Sequence, residues 1–316
     1  MVPFSYTLSD PLKAALQKTD YLRAQILTTP VPPKAELKLR WEAMLDRIYY
    51  TLIVDKASVQ KRTLLELLTA TPLIRKNKRP TLEEKQILRY KQGLDLITQE
   101  WLVSDKTVTY KSAISLHDYS CPGKYRKGES ELKQLLTYLE TNPDHPVIQA
   151  AVVYACICRI RPFTDGNSRI ASLLALLFLY KAGYDCRGLI SLEKEWLNQP
   201  IVFQEKFTLG VNSAYMTGWI EFVAESLAVH LEKKLQDIKS PAPMPEKSKT
   251  FFDLHKRQQA ILSILNEPGI KVTNRDVQKQ FKISQITASR DLAHLVLLGL
   301  IVPHGKGRSI YYTKLA

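Results

Sequence analysis

One polar segment, Arg159–Ala171 (RIRPFTDGNSRIA), combines residue types that could bind an anion. It separates two strongly apolar stretches, so its far end should coincide with the start of a helix. Backbone N–H groups at Gly166, Asn167 and Ser168 would be unpaired there, and the helix dipole would add positive potential. Arg169, in the first turn, adds a guanidinium that can bind phosphate through two hydrogen bonds. The segment therefore predicts an anion-binding turn.

Asp165 narrows the kind of anion that this turn would accept. A carboxylate in an anion site makes chemical sense if Mg²⁺ bridges it to phosphates. The segment thus predicts a nucleoside di- or triphosphate with Mg²⁺, with Asp165 as metal ligand and Asn167 as a donor to phosphate. The alternative is structural: Asp165 and Asn167 would cap a helix, and Arg169 would satisfy a carboxylate.

The helices around the segment must hold it in place. VIQAAVVYACIC before it and SLLALLFLY after it are apolar on all sides, which indicates two buried helices. The other segments before residue 238 have helical periodicity, and one begins with a predicted capping box of Thr81 and Glu84. Gly183 is the predicted end of the second buried helix. We therefore predict a mainly α protein, with a helical bundle around two central helices.

A proline-rich stretch, residues 238–250 (IKSPAPMPEKSKT), predicts a linker because it can neither continue a helix nor bury a core. We accordingly divide the chain into a helical region at 1–110, a core domain at 111–237, and a second domain at 251–316. The sequence of the second domain predicts the following order: a helix, a short helix capped by Thr273, a tight turn, a third helix capped by Ser284, and a β-hairpin around the sequence HGKG. This order resembles a winged helix-turn-helix domain.

That resemblance predicts DNA as a partner. The third helix would lie in the major groove, with its first residues near base edges, and the hairpin would meet phosphates. The predicted DNA-binding residues are Gln285, Thr287, Ser289 and Arg290 on the helix, with Lys306 and Arg308 in the hairpin. Winged helices also dock proteins or form dimers, so protein docking and a homodimer stay open as alternatives.

The charge distribution favours a polyanion. The net charge of the 316-residue chain is +14; residues 247–316 hold 12 Lys and Arg against 4 Asp and Glu, a net +8. No segment has the pattern of a secretory signal, and the most apolar run is too short to span a bilayer, so we expect a cytoplasmic protein with no membrane partner. The four cysteines have no metal-ligand spacing, which favours reduced thiols.

The polar segment resembles the signature of Fic (Fido) proteins, H-P-F-x-[D/E]-G-N-G-R-x-x-R, which here becomes RPFTDGNSRIAS over residues 161–172. Residues 116–128 (LHDYSCPGKYRKG) and 217–227 (TGWIEFVAESL) resemble further parts of these proteins, and the match covers about residues 37–235. The resemblance implies a Fic-like helical bundle followed by a winged helix-turn-helix domain, an arrangement known in bacteria.

The resemblance also implies protein AMP transfer (AMPylation). In that reaction the motif His accepts a proton from a Ser, Thr or Tyr hydroxyl of a target protein, and the hydroxyl attacks the α-phosphate of ATP. Carried over to this chain, Asp165 would hold Mg²⁺, and the turn Gly166, Asn167, Ser168 and Arg169 would bind the phosphates.

Three positions depart from the signature. Arg161 stands where the family has its general base, and a guanidinium with a pKa above about 12 has no free base form near neutral pH. Losing a general base costs on the order of 10²–10⁴ in rate. Ser168 adds a Cβ where the backbone should approach phosphate. Ser172 replaces the second Arg and removes a charge.

Two further sequence elements of Fic proteins are shorter or altered in this chain. The flap hairpin that clamps a target protein is truncated or absent, because only RKGE separates Tyr125 from the helix at Ser130. The inhibitory-helix pattern [S/T]-x-x-x-E-[G/N] is approximated by residues 51–56 (TLIVDK), in which Asp55 is short by one methylene and would face Ser172 instead of an Arg. The sequence thus favours an impaired transferase that binds a nucleotide and acts as a DNA-binding regulator. An active AMP transferase is the alternative, and an inert scaffold or oligomer is a third.

Overall fold

The structure is a computed structural model that describes residues 4–69, 79–121, 128–142, 144–240, 252–267, 269–305 and 309–314. The chain divides into two compact units. One unit comprises Met1–Val31, Glu42–Leu65 and Pro80–Pro241, and the other comprises Pro32–Trp41, Glu66–Arg79 and Ala242–Ala316. Most of the predicted linker, residues 241–250, lies outside the described residues.

Helices make up nearly all regular structure before residue 241. Among the described residues they are α1 (Asp10–Thr28), α2 (Pro33–Val54), α3 (Lys61–Thr69), α4 (Leu82–Glu100), α5 (Tyr110–Ser120), α6 (Glu129–Thr141), α7 (Pro146–Ile160), α8 (Asn167–Lys181), α9 (Leu192–Asn198), α10 (Pro200–Asn212) and α11 (Thr217–Lys239). A 3₁₀ turn, Cys186–Gly188, follows α8.

The two central helices of the first unit are α7 and α8, as the sequence predicts. Every residue from Arg169 to Tyr180 in α8 is buried, and so are 10 of the 15 residues of α7. The two helices pack on each other, and α7 also contacts α6, α10 and α11. Because both helices are largely buried, the loop between them is anchored at both ends in the closely packed core of the bundle.

Local signals set the helix ends where the sequence predicts them. Thr81 Oγ1 accepts from Glu84 N at 3.1 Å, and Glu84 Oε2 accepts from Thr81 N at 2.7 Å, which completes the capping box of α4. Gly183, with φ +72°, follows the last turn of α8. The predictions at these positions are confirmed.

An aromatic cluster joins α7 to the later helices. Trp196 and Phe203 stack with ring centroids 5.4 Å apart, and Tyr154 meets Trp196 edge-on at 4.9 Å. Trp219 Nε1 donates to the Ala151 carbonyl at 2.8 Å, so the indole is buried with its polar atom satisfied. The cluster packs α7 against α9, α10 and α11.

The second unit has the predicted order of elements after residue 251. Its described helices are α12 (Lys256–Ile264), α13 (Asn274–Phe281) and α14 (Gln285–Leu297), and its strands are β1 (Val272–Thr273), β2 (Ile301–His304) and β3 (Tyr311–Lys314). The sheet order is β1-β3-β2 with antiparallel pairs, and Pro303 lies opposite Tyr312.

This unit has its own core and its own caps. The buried side chains include Ile261 on α12, Val277 on α13 and Leu292 on α14. Thr273 Oγ1 accepts from Asp276 N at 3.2 Å, and Ser284 Oγ accepts from Thr287 N at 3.2 Å, as predicted for the starts of α13 and α14.

No helix in the described part of the chain is long and apolar enough to cross a membrane. Cys121, Cys156, Cys158 and Cys186 are free thiols, and all but Cys158 are fully buried.

Candidate anion-binding site

The loop between α7 and α8 is bounded by two residues in the left-handed conformation. Arg161, at φ 49° and ψ 60°, ends α7, and its N–H donates to the Ile157 carbonyl at 2.9 Å. Gly166, at φ 72° and ψ 19°, precedes α8 and provides no side-chain cap. The Arg161 side chain is exposed. The N–H groups of the first turn of α8 therefore have no side-chain partner from the N-cap, as an anion site requires.

Asn167 closes the loop. Its Oδ1 accepts from Phe163 N at 3.0 Å, and its Nδ2 donates to the Phe163 carbonyl at 2.9 Å. One hydrogen of the amide remains for another acceptor. The side chain thus performs the structural role that the sequence left open, and its predicted role toward phosphate rests on that remaining hydrogen.

Arg169 is surrounded by carboxylates. Its side chain is 2% exposed, its Nη2 lies 3.0 Å from Asp165 Oδ2, and its Nε lies 2.6 Å from Asp55 Oδ2. The contact to Asp55 is close, but the Nε–H does not point along a hydrogen-bond direction, and within the described residues Nη1 has no hydrogen-bond partner either. The guanidinium is therefore paired in charge, as the structural alternative expects, and its Nε and Nη1 are buried, so an oxyanion could reach these donors only by displacing Asp55.

The predicted surroundings of Asp55 are wrong. We expected its partner to be lost because Ser172 replaces the second Arg of the signature. Asp55, 14% exposed, instead approaches the first Arg, Arg169, and accepts a hydrogen bond from the Ser168 side chain. Burial raises the pKa of Asp55, Arg169 opposes that effect, and Asp165 adds to it. The carboxylate thus lies against the start of α8, where a phosphate would bind.

Asp165 is accessible enough to hold a cation. Its side chain is 59% exposed and touches Arg169 on one side. Mg²⁺ is commonly bound by one or two carboxylates together with water and substrate phosphates. No group of three or more His, Cys, Asp or Glu suited to a metal occurs among the described residues. The residues present therefore fit Mg²⁺ that arrives with a nucleotide, and they do not form a complete protein site.

Two residues beneath the loop support it. His117, 2% exposed, stacks on Phe163 with ring centroids 3.8 Å apart and an interplanar angle of 7°. Burial lowers the pKa of His117, which favours a neutral ring. A Cβ on Gly166 would come within 2.4 Å of Cys121 Sγ, so the loop backbone lies directly on the thiol. The sequence named neither residue as part of the site; the only signal was their place in the LHDYSC segment.

Ser172, where the signature has its second Arg, is buried away from the loop surface. It lines a small internal cavity with Arg47, Tyr90, Ser191 and Glu193. This position supplies no charge to the anion site, as the sequence predicts.

The described part of the candidate DNA interface is the outer side of α14. Gln285, Ser289 and Arg290 are exposed, whereas Thr287 is half-buried and its hydroxyl lies 3.0 Å from Ser284 Oγ. Between them stands Ile286, 52% exposed, which sequence reasoning omitted because it is apolar.

The remaining two predicted DNA-binding residues, Lys306 and Arg308, lie outside the described residues.

Comparisons with known proteins agree with this architecture. Residues 85–179 match the model of the Fic/DOC family. A protein adenylyltransferase Fic from Nematostella vectensis is 25% identical over 200 residues, which are 54% of this chain and 45% of that protein. The chain therefore spans less than half the length of that relative.

Solved structures show the same fold. A Fic family protein from Desulfovibrio desulfuricans has a TM-score of 0.58 at 15% identity over 98% of both chains. Fic-1 from C. elegans has a TM-score of 0.57 at 14% identity, over 73% of this chain and 74% of that one. A Fic domain containing signaling protein from Bacteroides thetaiotaomicron has a TM-score of 0.55 at 18% identity, over 74% of this chain and all of that one. The predicted mainly α, Fic-like fold is confirmed.

Proposed function

Because this chain is a Fic domain protein related to protein adenylyltransferases, we propose that it is a regulator whose transferase activity has lapsed and whose basic C-terminal unit binds DNA. Arg161 is the observation that carries the proposal. Its backbone takes the position that ends α7, and its side chain is exposed beside the loop. A guanidinium cannot accept the hydroxyl proton, so the step that starts the transfer has no base at this position.

The rest of the loop supports nucleotide binding without AMP transfer. The uncapped start of α8 would receive phosphate oxygens of ATP, and Arg169 beside it would add a positive charge. Asp165 would hold Mg²⁺, which neutralises and orients the phosphates when bound. Asp55 competes for the same positive groups, so a nucleotide must displace it from Arg169.

Transfer of label from ATP tests the loss of activity. The full chain, incubated with α-labelled ATP, Mg²⁺ and a cell lysate, should label neither itself nor another protein. Arg161→His restores a base at a position whose left-handed backbone histidine tolerates, and Arg161→Ala removes the charge without adding a base. Labelling by the His variant alone would mean that only the base is missing. Labelling by the unaltered chain would overturn the proposal.

DNA binding is supported by the charge and by α14. Residues 247–316 have a net charge of +8, from 12 basic and 4 acidic residues, and Arg290 is exposed on the outer side of the helix. Binding that neutralises phosphates weakens steeply with salt, with a log–log slope of about −0.9 per contact.

Retention of the full chain on duplex DNA at several salt concentrations tests this part. Replacing Arg290 and Arg308 with Gln should weaken binding and reduce the slope by about two. Lys13→Gln with Lys18→Gln removes the same charge from α1 and should leave binding unchanged. Equal binding by the Arg290/Arg308 variant would contradict the assignment.

A second candidate is an active AMP transferase. The exposed carboxylate of Asp165 and the charge of Arg169 favour it, because they are the groups that would hold Mg²⁺ and phosphates. It requires a base other than Arg161, and the label-transfer experiment separates it from the first proposal.

A further inference from the structure

Helix α14 has two distinct sides. Its inner side consists of Ala288, Asp291, Leu292 and Leu295, all buried. At about 100° per residue, these four positions centre on one direction, and the two residues that point most nearly opposite are Ile286 and Leu297, of which only Ile286 is exposed. Ile286 is thus the middle of the outer side and lies in the first turn of the helix.

The surroundings of Ile286 are polar and basic. Gln285, Ser289 and Arg290 are exposed around it. A single exposed isoleucine needs no explanation on a protein surface. This one stands in the first turn of the third helix, which is where helix-turn-helix proteins contact base edges.

The polar neighbours are held in place from α13. Asn274 Nδ2 donates to Ser289 Oγ at 2.8 Å, and Gln278 Nε2 donates to Asn274 Oδ1 at 2.5 Å. Ser289 therefore keeps its own hydrogen for an outside acceptor. Ile286 is β-branched, so its side chain in a helix has essentially one χ1 rotamer. Ser289 and Ile286 are therefore held in place before any ligand binds.

The helix and turn that precede α14 carry exposed cations. Arg275 and Lys279 on α13 and Lys282 in the turn are exposed, while the exposed carboxylate of Asp276 accepts from Thr273 and serves the cap of α13. An exposed apolar residue on a helix that follows cationic residues suits a DNA major groove, in which thymine methyl groups lie between two rows of phosphates.

We infer that Ile286 is a specificity-determining residue that contacts the 5-methyl group of thymine. The inference rests on the proposed DNA binding. Arg290 lies four residues further along α14, about 6 Å along the axis, and arginine is the commonest partner of guanine. At about 3.4 Å per base pair, the preferred site should contain a thymine and a guanine about two base pairs apart.

The test selects binding sites for the full chain from a library of random DNA duplexes and then measures affinity for the selected duplex. The selected sites should share a thymine, with a guanine about two base pairs away. Replacing that thymine with deoxyuridine removes only the methyl group and should weaken binding about three- to fourfold, the effect of exposing one methyl group. Ile286→Ala should bind the thymine and deoxyuridine duplexes equally. Ile201→Ala, which alters a more exposed isoleucine on α10, should keep the preference.

The outcomes separate the two claims. Salt-dependent binding that ignores the methyl group, or an Ile286→Ala variant that still prefers thymine, overturns the role of Ile286 and leaves DNA binding intact. If the full chain binds no duplex in the library even at low salt, the proposed DNA binding fails, and Ile286 would then belong to a protein-docking surface.

Discussion

The carboxylate of Asp55 and the guanidinium of Arg169 form a buried ion pair, with Asp55 Oδ2 2.6 Å from Arg169 Nε. Asp55 lies just beyond the end of α2, and Arg169 lies in the first turn of α8. The pair places a negative charge at the positive end of α8, where an incoming phosphate would bind. Nucleotide binding therefore has to displace an internal anion.

Asp55→Asn should increase the affinity for ATP–Mg²⁺. The amide keeps the size of the side chain and removes its charge, which leaves Arg169 with Asp165 as its remaining carboxylate. We expect about a tenfold gain, the scale of one like-charge repulsion at a partly buried site. Titration calorimetry on the full chain measures it. Asp46→Asn, which removes a carboxylate on α2 that pairs with Lys194 at 2.7 Å, is the matched control. Identical affinities for the unaltered chain and both variants would show that Asp55 does not compete with phosphate.

Gly166→Ala should destabilise the helical bundle. The residue has φ +72°, and an added Cβ would meet Cys121 Sγ at 2.4 Å and Cys121 Cβ at 2.8 Å. Left-handed strain and overpacking together should cost roughly 2–4 kcal/mol. Gly269→Ala is the control. Gly269 has φ +81°, and a Cβ added there would have no atom within 4 Å, so only backbone strain should lower its stability, by about 1–2 kcal/mol. Urea unfolding followed by circular dichroism measures both; equal costs would mean that the loop backbone moves away from the thiol.

Asn167→Asp should weaken the loop between α7 and α8. The Nδ2 that donates to the Phe163 carbonyl would become an oxygen, so two acceptors would face each other. Leaving such a group unsatisfied costs about 1–3 kcal/mol. Hydrogen exchange at the Phe163 amide and urea unfolding measure the effect. An unchanged exchange rate would show that the two hydrogen bonds of Asn167 do not hold the loop closed.

The contributions of Glu193 and Glu195 to the free energy of unfolding should change with pH in opposite directions. Burial raises the pKa of Glu193. Burial also works against the charge of Glu195, but hydrogen bonds from His230, Lys233 and Asn198 outweigh it and lower its pKa to about 2. The ionised form of Glu193 therefore lowers the stability of the folded protein. Stability is highest below the pKa that Glu193 has in the unfolded chain, and it falls as the pH rises through the pKa in the folded protein. The ionised form of Glu195 adds stability that is lost as the pH falls from about 4.5 toward 2.

The corresponding variants make this measurable. At neutral pH, Glu195→Gln should lose about 2–3 kcal/mol of unfolding free energy, whereas Glu193→Gln should be neutral or more stable than the unaltered chain. Both differences should shrink on acidification. Urea unfolding between about pH 2 and pH 8 measures them, and a loss of stability in Glu193→Gln that stays constant across this range would contradict the sign assigned to Glu193.

The sequence predicted those features that depend on neighbouring residues. The capping box at Thr81 and the N-cap at Thr273 are local patterns, and the apolar stretches on both sides of the loop favoured buried helices. The pairing of Asp55 with Arg169 could not be predicted, because it joins helices that are distant in sequence. The family signature also pointed to position 172 as the partner. The stacking of His117 on Phe163 was missed for the same reason. Ile286 was missed because the prediction of DNA-binding residues considered only side chains that can form hydrogen bonds with bases or phosphates.

The sheet order of the second unit leaves two edge strands that offer little to an incoming strand. With β3 in the middle, β1 and β2 are the edges of the described sheet, and an exposed edge invites another strand to join it. β1 is only two residues long, and β2 contains Pro303, which has no N–H to offer an incoming strand. Both edges are thus protected against strand exchange and aggregation, so association through this sheet would have to use side chains.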